Sequence, residues 1–494
     1  MTAAAAGSAG TTEARRGNWL LLVVAGGVFI AADDQTSVVT VLPAMLRDAG
    51  ITVDDFYRSS WIINAYLLGY IVALPIVGRV ADVFGHARVY AASLVVFIVG
   101  SMLVASAPGF AWLISARALQ AIGGGAVVPV AMAIVIGELP PSRRVLGLGA
   151  IAAASEAGAL IGPLWGGAIT EAWGWRWVFW INVPMAAPFL WGAWRYAGRE
   201  VRSGVIDWPG AALLGVTLTL LTLALVDDPV TPRPLAATLA LLASTAVPAT
   251  LFVLRQRDPR GGREPVLRLA SLASRPAWSA NAVNFLVGGG LITVLIGVPL
   301  FVNLVLAQRP LDGGLTLMRF TVAVPLGALA GGWLASRWSF RGTAFLGMTL
   351  AAACFGGLQA WDRALSEALR TLPQLVGGFG FGLVIAPLSA AVLHGVAERE
   401  RATAASWLTL SRMVGMLVGT SLLTSHGLGR FYARASGVEF GTPEFGALVA
   451  QAQVQTFREV FIAAGAVMLV AAALALLLGR GRAEEDVGPW WGVG

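Results

Sequence analysis

Runs of about twenty apolar residues recur along the chain from Asn18 to Leu478, separated by short polar clusters. Crossing the hydrocarbon core of a bilayer takes about 20 helical residues. The pattern therefore predicts spans near 18–45, 59–77, 89–108, 110–136, 145–171 and 174–195, then two near 208–227 and 234–254. Six more follow near 278–306, 315–335, 342–360, 371–396, 402–427 and 457–479. The expected organisation is an N-terminal tail over 1–17, a six-helix half over 18–195 and a linker over 196–277 with two spans and basic segments. A second six-helix half over 278–479 and a tail over 480–494 complete it, fourteen spans in all.

The first run follows Arg15 and Arg16 and reaches about Pro43, too long for a signal peptide, so it is expected to remain as the first span. Most connections are short. The exception is about 428–456, whose flanks are compatible with helix, so spans thirteen and fourteen are expected to project beyond the bilayer; a loop around Gly437–Pro443 is the alternative.

Composition sharpens this picture. Hydrophobic residues make up 57% and charged residues 12%, with a mean hydropathy of +0.75, against roughly 25% charged in ordinary soluble domains. The net charge of +7 comes from arginines clustered between apolar runs rather than along one polar face, which points to topology and away from nucleic acid. With the N-terminus inside, 21 arginines fall on inner segments and 10 on outer ones. Both termini are thus expected in the cytoplasm, in a multi-pass inner-membrane protein. Trp19, Trp61, Trp112, Trp175, Trp177 and Trp208 sit at predicted boundaries, as in an interfacial belt.

Several chemistries are excluded or disfavoured. All 34 basic residues are arginine, and a P-loop requires lysine at the phosphates. Cys354 is the lone cysteine, and His86, His394 and His426 have no metal-site spacing. Gly377–Gly382 lies within an apolar run and is no phosphate loop. Neither His-Glu-x-x-His nor Gly-x-Ser-x-Gly occurs, which disfavours an intramembrane hydrolase or acyltransferase. No cofactor is expected.

Among the acids, Asp33, Asp34 and Glu156 fall deep inside predicted spans, with Arg117 and Arg412 their basic counterparts; Arg319 is shallow enough to snorkel. A charge at the bilayer centre costs at least about 2.5–3.5 kcal/mol, so those kept there normally face a cavity or a partner. Asp33 and Asp34 differ by about 100° around their helix and are not expected to share one environment. Glu156 and Arg412 lie at similar depth in opposite halves, where a pair meeting only when one side closes would gate alternation. The competing reading is a Glu–Arg staple, most applicable to Arg117. Gly158, Gly162 and Gly166 recur every four residues, a smooth stripe for close helix packing, beside Pro163 and Gly167.

The motifs point to a family. Gly78-Arg-Val-Ala-Asp82-Val-Phe-Gly85-His-Ala-Arg88, expected as a tight cytoplasmic turn, resembles the signature loop of the major facilitator superfamily, with a weaker echo at Gly332–Arg337. Asp34-Gln-Thr36 through Pro43, Arg117-Ala-Leu-Gln120, Gly158 through Gly167 and Trp175 through Pro184 are similar, in order, to motifs of its fourteen-span drug:proton antiporter branch. Val39 and Ala121 depart from the usual asparagine and glycine. The stretches Trp61–Asp82, Ala153–Pro163, Gly380–Pro387 and Ser411–Gly419 resemble the branch's mycobacterial triacylglyceride transporters.

The resemblance implies a major facilitator fold and proton-coupled export of lipid or other bulky apolar cargo. It also implies projecting thirteenth and fourteenth helices and a periplasmic lipoprotein partner. Asp34 and Glu156 become the expected proton-coupling acids, Arg117 and Arg412 their charge partners, and Gly78, Asp82, Gly85 and Arg88 the cytoplasmic gate. Asp82 is then expected to cap the start of span thirteen, near Ala402–Ala405, when the inner side is closed. A general multidrug antiporter and a transport-inactive scaffold or sensor are the alternatives.

Overall fold

The computed structural model describes residues 2–48, 58–196, 206–227, 232–257, 272, 274–362, 364–393, 401–435 and 443–478. His394, Gly437, most of the basic linker and the tail over 480–494 lie outside the described residues.

Among the described residues the structure is helical without strands. The first half contains α1 (Thr2–Asp48), α2 (Ser59–Phe84), α3 (His86–Ala105), α4 (Phe110–Glu138), α5 (Pro141–Trp173), α6 (Trp175–Trp180) and α7 (Asn182–Tyr196). The linker helices are α8 (Trp208–Leu225) and α9 (Leu235–Arg257). The second half contains α10 (Arg275–Leu300), α11 (Pro310–Arg337), α12 (Phe340–Leu358), α13 (Glu367–Leu393), α14 (Arg401–Ala435) and α15 (Pro443–Ala475), with a π-helical turn at Phe301–Val305 after α10. Eleven helical stretches are long and apolar enough to cross a membrane. The other expected crossings fall on α12, on α14 and on α6 with α7, which divide the sixth expected span at Ile181.

The two halves repeat one packing scheme. In the first, α1 packs on α5, α4 takes both α2 and α3, and α3 meets α7; in the second, α10 packs on α14, α13 takes α11 and α12, and α12 meets α15. Every partnership has its counterpart, as expected of two related bundles. The halves meet through α5 with α11 and α2 with α14, again a matched pair. Outside them, α8 touches α2 and α14, while α9 packs on α8 and leaves Leu235, Leu239, Val247, Leu251 and Leu254 exposed. An uninterrupted apolar outer face of this kind suits lipid rather than water.

Several expectations need correction. The motif from Gly78 is not a tight turn: α2 continues through Phe84, and Gly85 alone, with φ at 91°, separates it from α3. No proline or β-branched run stops α2 earlier, and glycine is the residue that adopts positive φ without steric cost. Trp175 is packed inside the protein, and its indole N–H donates to Asp48 Oδ2 at 3.0 Å. Arg319 does not merely snorkel; it bonds Thr371 at 2.8 Å and pairs with Glu367.

Both segments expected to project are helical where described. α14 has 35 residues, roughly 50 Å at 1.5 Å each against a hydrocarbon core near 30 Å. α15 begins fourteen positions before the expected start of span fourteen. Glu459 clamps the two arms, accepting from Arg430 at 2.8 Å and pairing with Arg434.

Candidate functional site

α1 and α5 lie in unusually close contact. A Cβ at Gly158 would stand 2.3 Å from the Phe29 carbonyl oxygen, and one at Gly162 2.6 Å from that of Asp33. One at Gly166 would stand 2.6 Å from that of Ser37. The four-residue stripe thus lets one backbone ride on the other. Gly167 sits instead at the seam between halves, where a Cβ would approach Leu311, and Pro163 meets Gly314 there.

On the face of α1 turned from the stripe, Asp34 sits in a fully enclosed polar network. Arg117 Nη1 donates to Asp34 Oδ2 at 3.1 Å and to Gln120 Oε1 at 2.6 Å. Gln120 and Asn182 each donate to Asp34 Oδ1 at 2.8 Å, and Gln120 also reaches Ser101 at 2.7 Å. The Arg117 guanidinium lies over the Tyr66 ring at 4.3 Å and the Phe179 ring at 5.5 Å. Arg117, Asp34 and Gln120 have no accessible surface; the Asp34 carboxylate is held by Arg117 and two amides, while Arg117 Nε and Nη2 have no hydrogen-bond partner.

Arg117 therefore pairs with Asp34, and the staple between glutamate and arginine considered from the sequence is not formed at this residue. The spacing of Arg117 and Gln120 places both on one face of α4. Asn182 enters because the break at Ile181 starts a new helix turned toward α1. The roles of Gln120 and Asn182 were not legible in advance, although each is an amide inside an otherwise apolar span.

Glu156 and Arg412 come together differently. They line opposite walls of a cavity of about 170 Å³ between the halves, whose surface includes Leu291, Phe320, Phe381 and Met416. Glu156 is exposed to it and Arg412 half-buried; no ion pair joins them. Toward the Gly174 end the two halves are bridged by side chains. There Arg309 pairs with Glu171 at 3.0 Å, and Asn64 donates to Ser421 at 2.8 Å. A second, more apolar cavity of about 190 Å³ lies toward the same end, lined by Leu42, Ile63, Leu300, Leu423, Phe431 and Phe457.

Asp82 lies at the opposite end. It is exposed and pairs with His86 at 3.3 Å, one turn along the same joint. The expected capping of α14 near Ala402–Ala405 is not among its described contacts. Phe431 and Tyr432 stack edge to face at 5.6 Å near the projecting arms, while the Phe445 side chain lies outside what is described.

Paired six-helix bundles, an acid and an arginine buried in one of them and a cavity at the seam define a secondary transporter rather than an enzyme. The Major Facilitator Superfamily model matches residues 24–420, and the chain belongs to that family. Two relatives are named triacylglyceride transporters. One, from Mycobacterium tuberculosis, is 32% identical over 93% of each chain. The other, from Mycolicibacterium smegmatis, is 32% identical over 96% of this chain and 90% of its own. Among solved structures, a bacterial homologue of the human lysosomal transporter Spinster, described as inward-facing and unoccupied, aligns with a TM-score of 0.65. It is 16% identical and covers 94% of this chain and 96% of that one.

Proposed function

We propose that this transporter exports triacylglyceride-like lipid by proton-driven alternating access, as a fourteen-span protein of the cytoplasmic membrane with both termini inside. The observation that carries the reading is the cavity at the seam: a largely apolar chamber in which Glu156 and Arg412 face each other's halves unpaired. An apolar wall suits an acyl chain, which offers few groups to hydrogen-bond. The two charges give the chamber a latch that forms when the far side closes and weakens when Glu156 takes a proton. The cargo for which the relatives are named supports the lipid assignment.

Asp34 is the second proton-coupling acid in this reading. Protonation there removes the counter-charge of Arg117 and so alters the packing of α1 against α4. Cargo enters sideways from the bilayer, and the apolar cavity below the α14–α15 arms shields it on the outer side before transfer to a periplasmic lipoprotein.

The test is transport in vesicles holding the purified protein, with a fluorescent triacylglyceride analogue and ethidium as separate probes and an imposed pH gradient. Gradient-dependent movement of the lipid probe is expected. Movement of ethidium alone would replace this reading by a general multidrug antiporter, and movement of neither by a transport-inactive scaffold.

A further inference from the structure

Asp33 stands next to Asp34, yet none of the donors that hold Asp34 reaches it. Its side chain is 3% exposed, and Oδ1 has no hydrogen-bond partner. Its backbone is pressed against α5: a Cβ at Gly158 would lie 3.0 Å from its nitrogen.

The charged groups on the surrounding helices do not compensate it. On α5, Glu156 faces the cavity, Arg143 bonds Asn18, Arg144 bonds the Leu139 carbonyl, and Glu171 pairs with Arg309 at the far end. On α4, Arg117 is committed to Asp34 and Gln120. On α7, Asn182 is bonded to Asp34, and Arg195 stacks on Trp191 near the helix end. Of the second-half helices facing α1, α10 has no ionisable residue after Arg275, and on α11 Arg309 and Asp312 pair together at its start. Further along α11, Arg319 pairs with Glu367. On α2, Tyr66 lies under the Arg117 guanidinium and Asp82 pairs with His86, and on α6 Arg176 pairs with Asp48. Arg412 stands on the cavity wall supplied by α14, and the neighbouring acids along the chain and on α5 are Asp34 and Glu156. A buried carboxylate without a cation or a donor is relieved by taking up a proton.

We propose that Asp33 is a further proton-carrying residue of the transport cycle, occupied by a proton while the molecule is closed at the Gly174 end. The proposal rests on the proton-coupled reading above and adds a carrier to it. Release is a simple acid dissociation. The O–H bond breaks, the carboxylate remains on α1, and the proton passes to water in the central cavity, whose wall begins at the adjacent Ala32 and continues at Gln35 and Thr36. Asp33 thus carries a proton across a part of the cycle in which Asp34 stays locked to Arg117.

Two measurements on the full-length protein decide this. The infrared band of a protonated carboxyl group is expected at neutral pH in the wild type and in Asp34→Asn, and is expected to be lost in Asp33→Asn and Asp33→Ser. A band unchanged in both Asp33 variants overturns the proposal. In vesicles loaded with the fluorescent triacylglyceride analogue, Asp33→Asn should move one proton fewer per probe molecule than the wild type, and Asp33→Glu should restore the ratio. An unchanged ratio overturns the role of Asp33 while leaving proton-coupled export standing. A wild type indifferent to the pH gradient overturns both.

Discussion

Arg117 Nη1 stands 3.1 Å from Asp34 Oδ2, and neither side chain has any exposed surface. Two opposite charges, 83 positions apart in sequence, thus neutralise each other inside a single half of the molecule. Removing one member of a buried pair costs about 3–5 kcal/mol, because the other is left uncompensated. Arg117→Leu should lose stability in that range, and Asp34→Asn somewhat less, since Gln120 and the Tyr66 ring still hold the guanidinium. The double variant should recover about 0.5–3 kcal/mol relative to the sum. Unfolding in detergent measures all three; additive losses would show that the pair carries no coupling.

Transport should separate from folding at the same residue. Asp34→Asn is expected to remain folded and to lose gradient-driven export of the lipid probe, because the amide cannot exchange a proton. Wild-type export by this variant would remove Asp34 from the coupling step.

The cavity pair makes a different demand. Glu156→Cys with Arg412→Cys should cross-link in the state closed at the arginine-rich end and resist cross-linking in the state closed at the Gly174 end, because the wild-type side chains are unpaired there. The native Cys354 is buried and does not compete. Equal cross-linking in both states would argue against a latch.

Within the signature motif the two glycines should behave in opposite ways. Gly78 lies inside α2, and a Cβ there would meet nothing within 4 Å. Gly78→Ala should therefore stabilise by about 0.5–1 kcal/mol. Gly85 holds φ at 91°, so Gly85→Ala should destabilise by about 1–2 kcal/mol. Thermal unfolding of both variants tests the joint; similar shifts would contradict its assignment to Gly85 alone.

Deleting 434–452 with a short linker should reduce export of the lipid probe more than efflux of ethidium. The deletion takes away Arg434, one of the two arginines on Glu459, and shortens the arm above the apolar cavity. Equal loss of both activities would indicate damage to folding.

The span positions were legible because apolar length survives any rotation of the helix. The continuation of α2 through Asp82 was not: glycine at Gly78 is tolerated in a helix, and only the backbone angle at Gly85 marks the stop. The depth of Asp34, Glu156, Arg117 and Arg412 followed from counting residues along the spans. Their partners did not, because the face each presents depends on how α1, α4 and α7 are rotated against one another. Asn182 illustrates the limit. It joins Asp34 through a break at Ile181, where Pro184 has no N–H to bond the Trp180 carbonyl, but the proline does not say which way the new helix turns.

The glycine stripe of α5 fastens it to α1 with almost no side-chain padding. Backbone-to-backbone contact along the stripe leaves little room between them, so the two form one packed unit with an acid on each flank, Asp34 toward α4 and Glu156 toward the cavity. A tilt provoked at one flank is felt at the other without an intervening chain of rearranged side chains. The pair can thus act as a rocker arm, linking the enclosed Asp34 network to the central cavity through rigidity alone.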